Sequence, residues 1–267
     1  MLYHKVYNKN EAADWVVFVH GAGGSSSIWY KQVREYRKEF NVLLVDLRGH
    51  GRSQNLMEEY FKDPYSFDVI SQDVLQVLDY LQIEKAHFVG ISLGTIIIRN
   101  IGEIAPERVA SLIMGGAIAR LNFRSRFFVS LGNLFKKVVP FMWLYRFFAW
   151  IIMPKQNHKE SRSLFIREAQ RVARKEFLRW FRLTGELTPL LRIFHENELK
   201  APILYIMGSE DHMFLGPVKE LVKNQKNSAL RVIQDCGHVV NVECPDIFNE
   251  ASMAFIGQND SNNTQWA

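Results

Sequence analysis

The segment HFVGISLGT, residues 87–95, decides the fold of this chain of 267 residues. Within it, Gly90-Ile91-Ser92-Leu93-Gly94 fits the pattern G-x-S-x-G, in which a serine lies between two glycines. The apolar run 86–91 predicts a buried strand, and the pattern at 93–104 predicts a helix. A sharp turn between them would expose the Ser92 hydroxyl as a nucleophile. The alternative is an ordinary glycine-rich turn.

Five further apolar runs have the features of strands that are buried on both faces of a parallel sheet. They are aliphatic or β-branched, lack strict alternation and are bounded by Gly, Asp or Pro. Helical patterns separate them, so the chain predicts an α/β fold with a doubly wound, mostly parallel sheet and an antiparallel edge strand at 2–7. The strands are predicted at 15–20, 41–46, 109–114, 202–207 and 229–233, and the helices at 28–38, 66–81 and 245–255.

The alternation of strands and helices breaks between residues 119 and 186, where no strand pattern is present. Residues 119–185 hold 15 Lys or Arg against 3 Asp or Glu, and 14 of the 34 aromatic residues, although the chain has a net charge of only +5. Such asymmetry marks a segment with its own role. We predict a helical cap at 119–186 inserted in a core of 1–118 and 187–257, followed by a flexible tail at 258–267.

A nucleophilic serine needs a general base and a carboxylate that orients the base. His238 lies in a Gly-flanked loop between the last strand and the last helix, and it is the predicted base. Asp211 follows the strand at 202–207 and is the predicted acid, with Glu210 as the second choice. The order Ser92, Asp211, His238 is that of a nucleophile–acid–base triad on this type of sheet. Each residue could instead belong to an ordinary loop.

Two backbone amides are predicted to stabilise the oxyanion of the tetrahedral intermediate. Leu93 follows the nucleophile and begins a helix, where negative charge is favoured. The glycine-rich loop HGAGG, residues 20–24, lets the backbone approach a substrate, and we assign Ala22 as the second donor, ahead of Gly23. The loop does not fit the dinucleotide pattern G-x-G-x-x-G, because position 26 is serine.

Taken together, these motifs resemble those of the α/β-hydrolase family, over about residues 10–118 and 187–257. HGAGG resembles the oxyanion loop, VDLRGHGRS (45–53) the structural turn, GISLG the nucleophile elbow, GSEDHMF the acid loop and CGHVVNVECPDIFNE the histidine loop. The resemblance implies structural roles for Arg48, Gly49, Ser53, Glu243 and Pro245. The family's dehalogenases and epoxide hydrolases have an aspartate where this chain has Ser92, so the serine implies an acyl-enzyme.

The sequence therefore predicts a capped serine hydrolase, a carboxylesterase or lipase-like enzyme for small or medium acyl esters. A thioesterase, a lactonase, a carbon–carbon bond hydrolase and a non-enzymatic signalling or ligand-receptor protein remain open. The chemistry requires no cofactor, and the sequence shows neither metal-ligand spacing nor a nucleic-acid motif. Two cysteines, Cys236 and Cys244, are too few to staple the domain, which favours a reducing cytoplasm. The oligomeric state is left undefined.

The aromatic and basic residues of the cap leave several roles open. Charges and a proline interrupt the run at 123–155 too often for a transmembrane span. Its aromatic residues could pack the cap itself, line an apolar acyl pocket, or lie flat on an anionic membrane. In the second half of the cap, arginines could form a solvated face, or one or two could turn inward to bind an anionic substrate group. They are Arg167, Arg171, Arg174, Arg179 and Arg182.

Overall fold

The computed structural model describes residues 1–54, 65–121, 123–135 and 138–260. Within them, seven strands form one sheet, and each predicted strand is present with its ends shifted by no more than two residues. The strands are β1 His4–Tyr7, β2 Trp15–Val19, β3 Asn41–Val45, β4 Ala86–Ile91, β5 Val109–Gly115, β6 Ile203–Gly208 and β7 Ser228–Ile233.

The order of the strands across the sheet is β1-β3-β2-β4-β5-β6-β7. β1 pairs with β3 in the antiparallel direction, and the other pairs are parallel. The predicted α/β class with a doubly wound, mostly parallel sheet is therefore confirmed. Because β2, β4, β5 and β6 run the same way, their carboxyl ends meet at one edge, where ligands bind in such sheets.

Successive residues of β2 enter two separate hydrophobic clusters, one on each face of the sheet. Val17 and Val19 belong to one cluster, while Val16 and Phe18 belong to the other. Both faces are covered by helices, which explains why the strands read as continuous apolar runs without alternation. The helices of the core are α1 Tyr30–Tyr36, α2 Phe67–Tyr80, α3 Leu93–Ile104, α8 Leu187–Glu196, α9 Leu215–Lys223, α10 Val240–Glu243 and α11 Pro245–Asp260.

The segment predicted as a cap is helical in its described part. Its helices are α4 Phe123–Phe135, α5 Phe141–Ile152, α6 Lys159–Ala169 and α7 Arg174–Arg182. These helices have a hydrophobic cluster of their own, formed by Leu144, Tyr145, Ala169, Phe177 and Phe181. In the described chain, no helix is both long and apolar enough to span a bilayer.

Trp180 joins the cap to the core through a buried contact. Its indole Nε1 donates a hydrogen bond of 3.0 Å to the backbone oxygen of Arg48, in the turn after β3. The Arg48 guanidinium is held in turn by Asp73 of α2, at 2.5 and 2.7 Å. Burial of this paired charge is tolerated because both partners are hydrogen-bonded.

The last helix extends three residues into the segment predicted as a flexible tail, 258–267. Helix α11 continues through Gly257 to Asp260, because an isolated glycine weakens a helix by only about 1 kcal/mol and does not have to end it. Residues 261–267 lie outside the described chain.

Candidate active site

Ser92 occupies a sharp turn between β4 and α3, at the carboxyl edge of the sheet. Its backbone has φ +52° and ψ −120°, a conformation that side-chain-bearing residues rarely adopt. The flanking glycines make the turn possible. A Cβ on Gly94 would lie 2.3 Å from the Val19 carbonyl oxygen, and a Cβ on Gly90 would lie 2.8 Å from the Gly94 oxygen. The G-x-S-x-G segment therefore forms a strained elbow.

The structure brings the three predicted side chains of Ser92, His238 and Asp211 together in one line. Ser92 Oγ lies 2.9 Å from His238 Nε2, and His238 Nδ1 lies 2.7 Å from Asp211 Oδ2. The Phe214 amide donates a hydrogen bond of 3.0 Å to Asp211 Oδ1. Because Asp211 only accepts hydrogen bonds when ionised, the Nδ1 proton of His238 points to it and Nε2 is left to accept the serine proton.

Glu210, the second choice for the acid, faces away from His238. Its carboxylate accepts hydrogen bonds from Lys155 at 2.6 Å and from Asn157 at 2.8 Å, and it lies 2.8 Å from His158 Nε2. The hydrogen bonds from Lys155 and Asn157 lower the pKa of Glu210 to about 2. Glu210 therefore contacts the cap and is not positioned to orient the base.

Glu243 holds the backbone on both sides of His238. Its Oε2 accepts a hydrogen bond from the Gly237 amide at 2.7 Å, and its Oε1 accepts one from the Val239 amide at 3.3 Å. Ser161 of the cap lies 2.8 Å from the same Oε1. The resemblance implied a structural role for Glu243, and these contacts show how it fixes the histidine loop to the cap.

The two amides predicted to bind the oxyanion, those of Ala22 and Leu93, differ from the Gly23 amide in their hydrogen bonding. Within the described chain, neither the Ala22 nor the Leu93 amide makes a hydrogen bond. The Gly23 amide is already occupied, since it donates to His50 Nε2 at 3.0 Å. Ala22 and Ser92 both line the same cavity, and a Cβ on Gly21 would lie 3.7 Å from the Leu93 nitrogen, so the oxyanion loop approaches the elbow closely. The geometry therefore favours Ala22 over Gly23.

His20 and His50 hold the oxyanion loop, a role that sequence reasoning missed. His20 lies 2.8 Å from the Gly21 oxygen and accepts from the Leu47 amide at 3.0 Å. Burial lowers the pKa of His20, and burial together with the proximity of the His20 ring, which disfavours a second charge, lowers the pKa of His50 to about 3. Both rings are thus neutral at neutral pH, so each can accept one hydrogen bond and donate another. Nothing in the local pattern around a buried histidine predicts its partner.

One cavity opens onto Ser92 and lies between the sheet edge and the cap. The space available to the centres of water-sized groups in this cavity is about 60 Å³. Most of its surface is apolar, and the cap contributes the far wall. It is lined by Gly21, Ala22, Gly24, Ile28, Ile91, Ser92, Ile152, Met153, Ser161, Leu164, Phe165, Glu168, His238 and Val239.

Glu168 is the one carboxylate among the described residues that line this cavity. It is 5% exposed, accepts a hydrogen bond of 2.8 Å from the Ser25 hydroxyl, and lies 3.2 Å from Arg171 Nη1. None of the five arginines predicted as possible anion-binding residues lines the cavity, nor does any other described arginine. Arg179, for example, pairs with Glu176 at 2.6 Å. Arg162 is buried, but its Nη1 donates to the backbone oxygens of Met153 and Lys155. Among the described residues, no arginine therefore faces the cavity to bind an anionic substrate group. No sequence pattern indicated that Glu168, one of the few acidic residues in a basic segment, lines the cavity.

A metal site is not apparent in the part of the chain that the structure covers. There, no group of three or more His, Cys, Asp or Glu side chains is placed to hold a metal ion. The polar groups at Ser92 are paired with one another, as nucleophilic chemistry requires.

The strain at Ser92 predicts that Ser92→Gly stabilises the protein. Relief of a strained backbone stabilises the folded state by about 1–3 kcal/mol. The greater entropy of glycine in the unfolded chain offsets roughly 0.5–1 kcal/mol of this gain. Ser92→Ala is the matched control, since it also loses the hydroxyl but keeps its Cβ. Urea denaturation should give a higher free energy of unfolding for the glycine variant than for the alanine variant. Equal values would contradict a strained elbow.

Comparisons with known proteins agree with this geometry. A family model described as the alpha/beta hydrolase fold matches residues 14–164. A 3-oxoadipate enol-lactonase from Acinetobacter baylyi is 32% identical over 43% of this chain and 41% of its own length. A 2-hydroxy-6-oxononadienedioate/2-hydroxy-6-oxononatrienedioate hydrolase from Paraburkholderia phymatum is 29% identical over 94% of this chain and 90% of its own. For three curated relatives, the chain spans only 25%, 41% and 38% of their length.

Among solved structures, the enol-lactonase from Burkholderia xenovorans superimposes with a TM-score of 0.79 and 22% identity, covering 96% of both chains. This likeness concerns the fold. The family model covers more than half of the sequence, and its match includes the oxyanion loop and the nucleophile elbow. The chain therefore belongs to the α/β-hydrolase fold family.

Proposed function

We propose that this hydrolase cleaves small, uncharged carboxylic esters, lactones included, through an acyl-enzyme on Ser92. The observation that carries the proposal is the line of short contacts from Ser92 Oγ to His238 Nε2 and from His238 Nδ1 to Asp211 Oδ2, at 2.9 and 2.7 Å. A hydroxyl, a base and an orienting carboxylate at these distances are what nucleophilic acyl transfer requires.

The reaction begins when Ser92 Oγ attacks the ester carbonyl carbon while His238 Nε2 takes its proton. Asp211 stabilises the imidazolium, and the oxyanion accepts hydrogen bonds from the amides of Ala22 and Leu93. Collapse of this intermediate breaks the carbon–oxygen bond, and His238 returns the proton to the leaving alcohol. Water then attacks the acyl-enzyme by the same route and releases the acid and the free serine.

The dimensions of the cavity favour a short acyl group. A water molecule needs roughly 10–15 Å³ of the space in which its centre can move, so the 60 Å³ beside Ser92 holds a handful of water-sized groups. Ile28, Leu164 and Phe165 contribute apolar walls, which suit a short aliphatic chain. A long acyl chain would require the cap to move.

The charge of the cavity favours a neutral substrate. The Glu168 carboxylate is buried in its wall, and its partner Arg171 is largely exposed and does not line the cavity. An anionic group brought into this apolar space would lose its hydration without meeting a cation. This opposes a carbon–carbon hydrolase for anionic dienoic acids, although one relative bears the name of such an enzyme. A lactone is a cyclic ester, and hydrolysis of an enol-lactone by a relative is compatible with the proposal.

The two unpaired thiols, Cys236 and Cys244, suit a reducing cytoplasm.

Hydrolysis of p-nitrophenyl esters tests the proposal. The acetate should be cleaved with a higher kcat/KM than the octanoate because of the cavity's size, and faster than the hemisuccinate because of Glu168. A fluorophosphonate probe should label the wild type but not Ser92→Ala. Glu168→Gln serves as the control for charge, since it should reduce the difference in kcat/KM between the acetate and the hemisuccinate. Absence of both turnover and labelling would exclude an ester hydrolase.

Asp211→Asn should lower kcat by about 10⁴-fold, because an amide cannot stabilise the imidazolium or hold the required tautomer. Glu210→Gln is the matched control in the adjacent position, and its kcat should stay near that of the wild type. Steady-state kinetics on p-nitrophenyl acetate would measure both, with circular dichroism as the check on folding. If the Glu210 variant lost more activity than the Asp211 variant, the assigned acid would be wrong.

A further inference from the structure

Two neighbouring helices of the cap, α4 and α5, expose large apolar side chains along one stripe each. On α4 these are Phe123, Phe127 and Leu134, which are 84%, 55% and 70% exposed. Their positions are i, i+4 and i+11, which fall on one face of a helix. Monomeric soluble proteins rarely expose a contiguous apolar patch without a partner for it.

The stripe on α5 has the same character. Trp143, Phe147 and Trp150 occupy positions i, i+4 and i+7, and they are 68%, 42% and 52% exposed. The opposite face of α5 is buried through Leu144 and Ala149. The outward aromatic residues pack the cap only in part: the Arg162 guanidinium carbon lies 3.8 Å from the centre of the Trp150 ring, yet all three residues stay exposed. Tryptophan has an apolar body and one polar N–H, a combination that favours the boundary between lipid and water.

Contacts between the helices place the two stripes side by side. The ring of Phe128 lies 5.6 Å from that of Phe127 and 6.1 Å from that of Phe147. On the inner side, a Cβ on Gly132 would lie 2.8 Å from Phe148, so α4 packs closely on α5. The stripes therefore form one surface, which we call the cap face: Phe123, Arg126, Phe127, Leu134, Trp143, Arg146, Phe147 and Trp150.

The charge of the cap face is uniformly positive. Arg126 and Arg146 are exposed beside the two stripes, three residues after Phe123 and Trp143, and within the described chain neither is paired with a carboxylate. Residues 119–155 contain seven Lys or Arg and no Asp or Glu. A second copy docked face to face would bring these arginines together with no carboxylate between them, which is unfavourable.

We infer that the cap face is a docking surface for an anionic lipid bilayer. The aromatic side chains would enter the boundary between headgroups and acyl chains, and the arginines would contact the phosphates, as on amphipathic helices that lie in a membrane surface. The far end of α5 supports a functional link, since Ile152 and Met153 line the cavity at Ser92. The inference does not depend on which ester is cleaved.

Co-sedimentation with vesicles tests the inference on the full-length protein. It should pellet with vesicles of phosphatidylcholine and phosphatidylglycerol in equal parts, more than with phosphatidylcholine alone, and less at high salt. Phe123→Ser combined with Trp143→Ser should weaken binding at least about tenfold, because two aromatic side chains that would enter the bilayer are lost. Arg126→Gln combined with Arg146→Gln should cost roughly fivefold per arginine on anionic vesicles.

Matched controls lie in and beside the core helices α1 and α2, outside the cap. Tyr30→Ser with Tyr80→Ser removes two aromatic residues that are 59% and 65% exposed, and Arg34→Gln with Arg37→Gln removes two exposed charges. Both should bind as the wild type does, and the turnover of a water-soluble ester should be unchanged in all four double variants. Equal binding of the cap-face variants, or no preference for anionic lipid, would overturn the inference. So would a dimer in analytical ultracentrifugation that the cap-face variants dissociate.

Discussion

The backbone of Ser92 is the constraint on which the site depends. It is held at φ +52° where β4 gives way to α3, and this sharp reversal lifts the hydroxyl out of the sheet and leaves the Leu93 amide unpaired. Gly94 must lack a side chain because the Val19 carbonyl is only 2.3 Å from where its Cβ would be. The central strands of the sheet are thus packed tightly enough to maintain a conformation that costs energy, and the reactive group is the one that bears the strain.

The parallel sheet converts this local feature into a site. β2, β4 and β6 end at the same edge of the sheet. The sheet itself therefore brings together the loop with Ala22, the elbow with Ser92 and the turn with Asp211. His50 then fixes the backbone of the loop with Ala22, and Glu243 fixes that of the histidine loop. The polar groups of the site are satisfied by one another, which is how buried polar networks become rigid.

Much of this was predictable because the decisive signals are local. Continuous apolar runs identified each strand, and the order of Ser92, Asp211 and His238 identified the residues that the structure places in one line. The partners of His20, His50 and Glu168 were not predictable, because they depend on which side chains of distant segments become buried together. The continuation of α11 past Gly257 also depends on tertiary structure, since packing of the preceding turns outweighs the weak helix propensity around this glycine.

The cap has two different surfaces, an inner wall that contains Glu168 and an outer face rich in aromatic residues. In the proposed function, the inner wall limits the size and charge of the substrate, and the oxyanion loop and the elbow hold the reacting carbonyl. A crystal structure of the protein with a small phosphonate bound covalently to Ser92 would test this account most directly. We predict that the phosphonyl oxygen lies about 2.7–3.1 Å from both the Ala22 and Leu93 amides. An adduct on another residue, or an oxygen directed away from both amides, would contradict it.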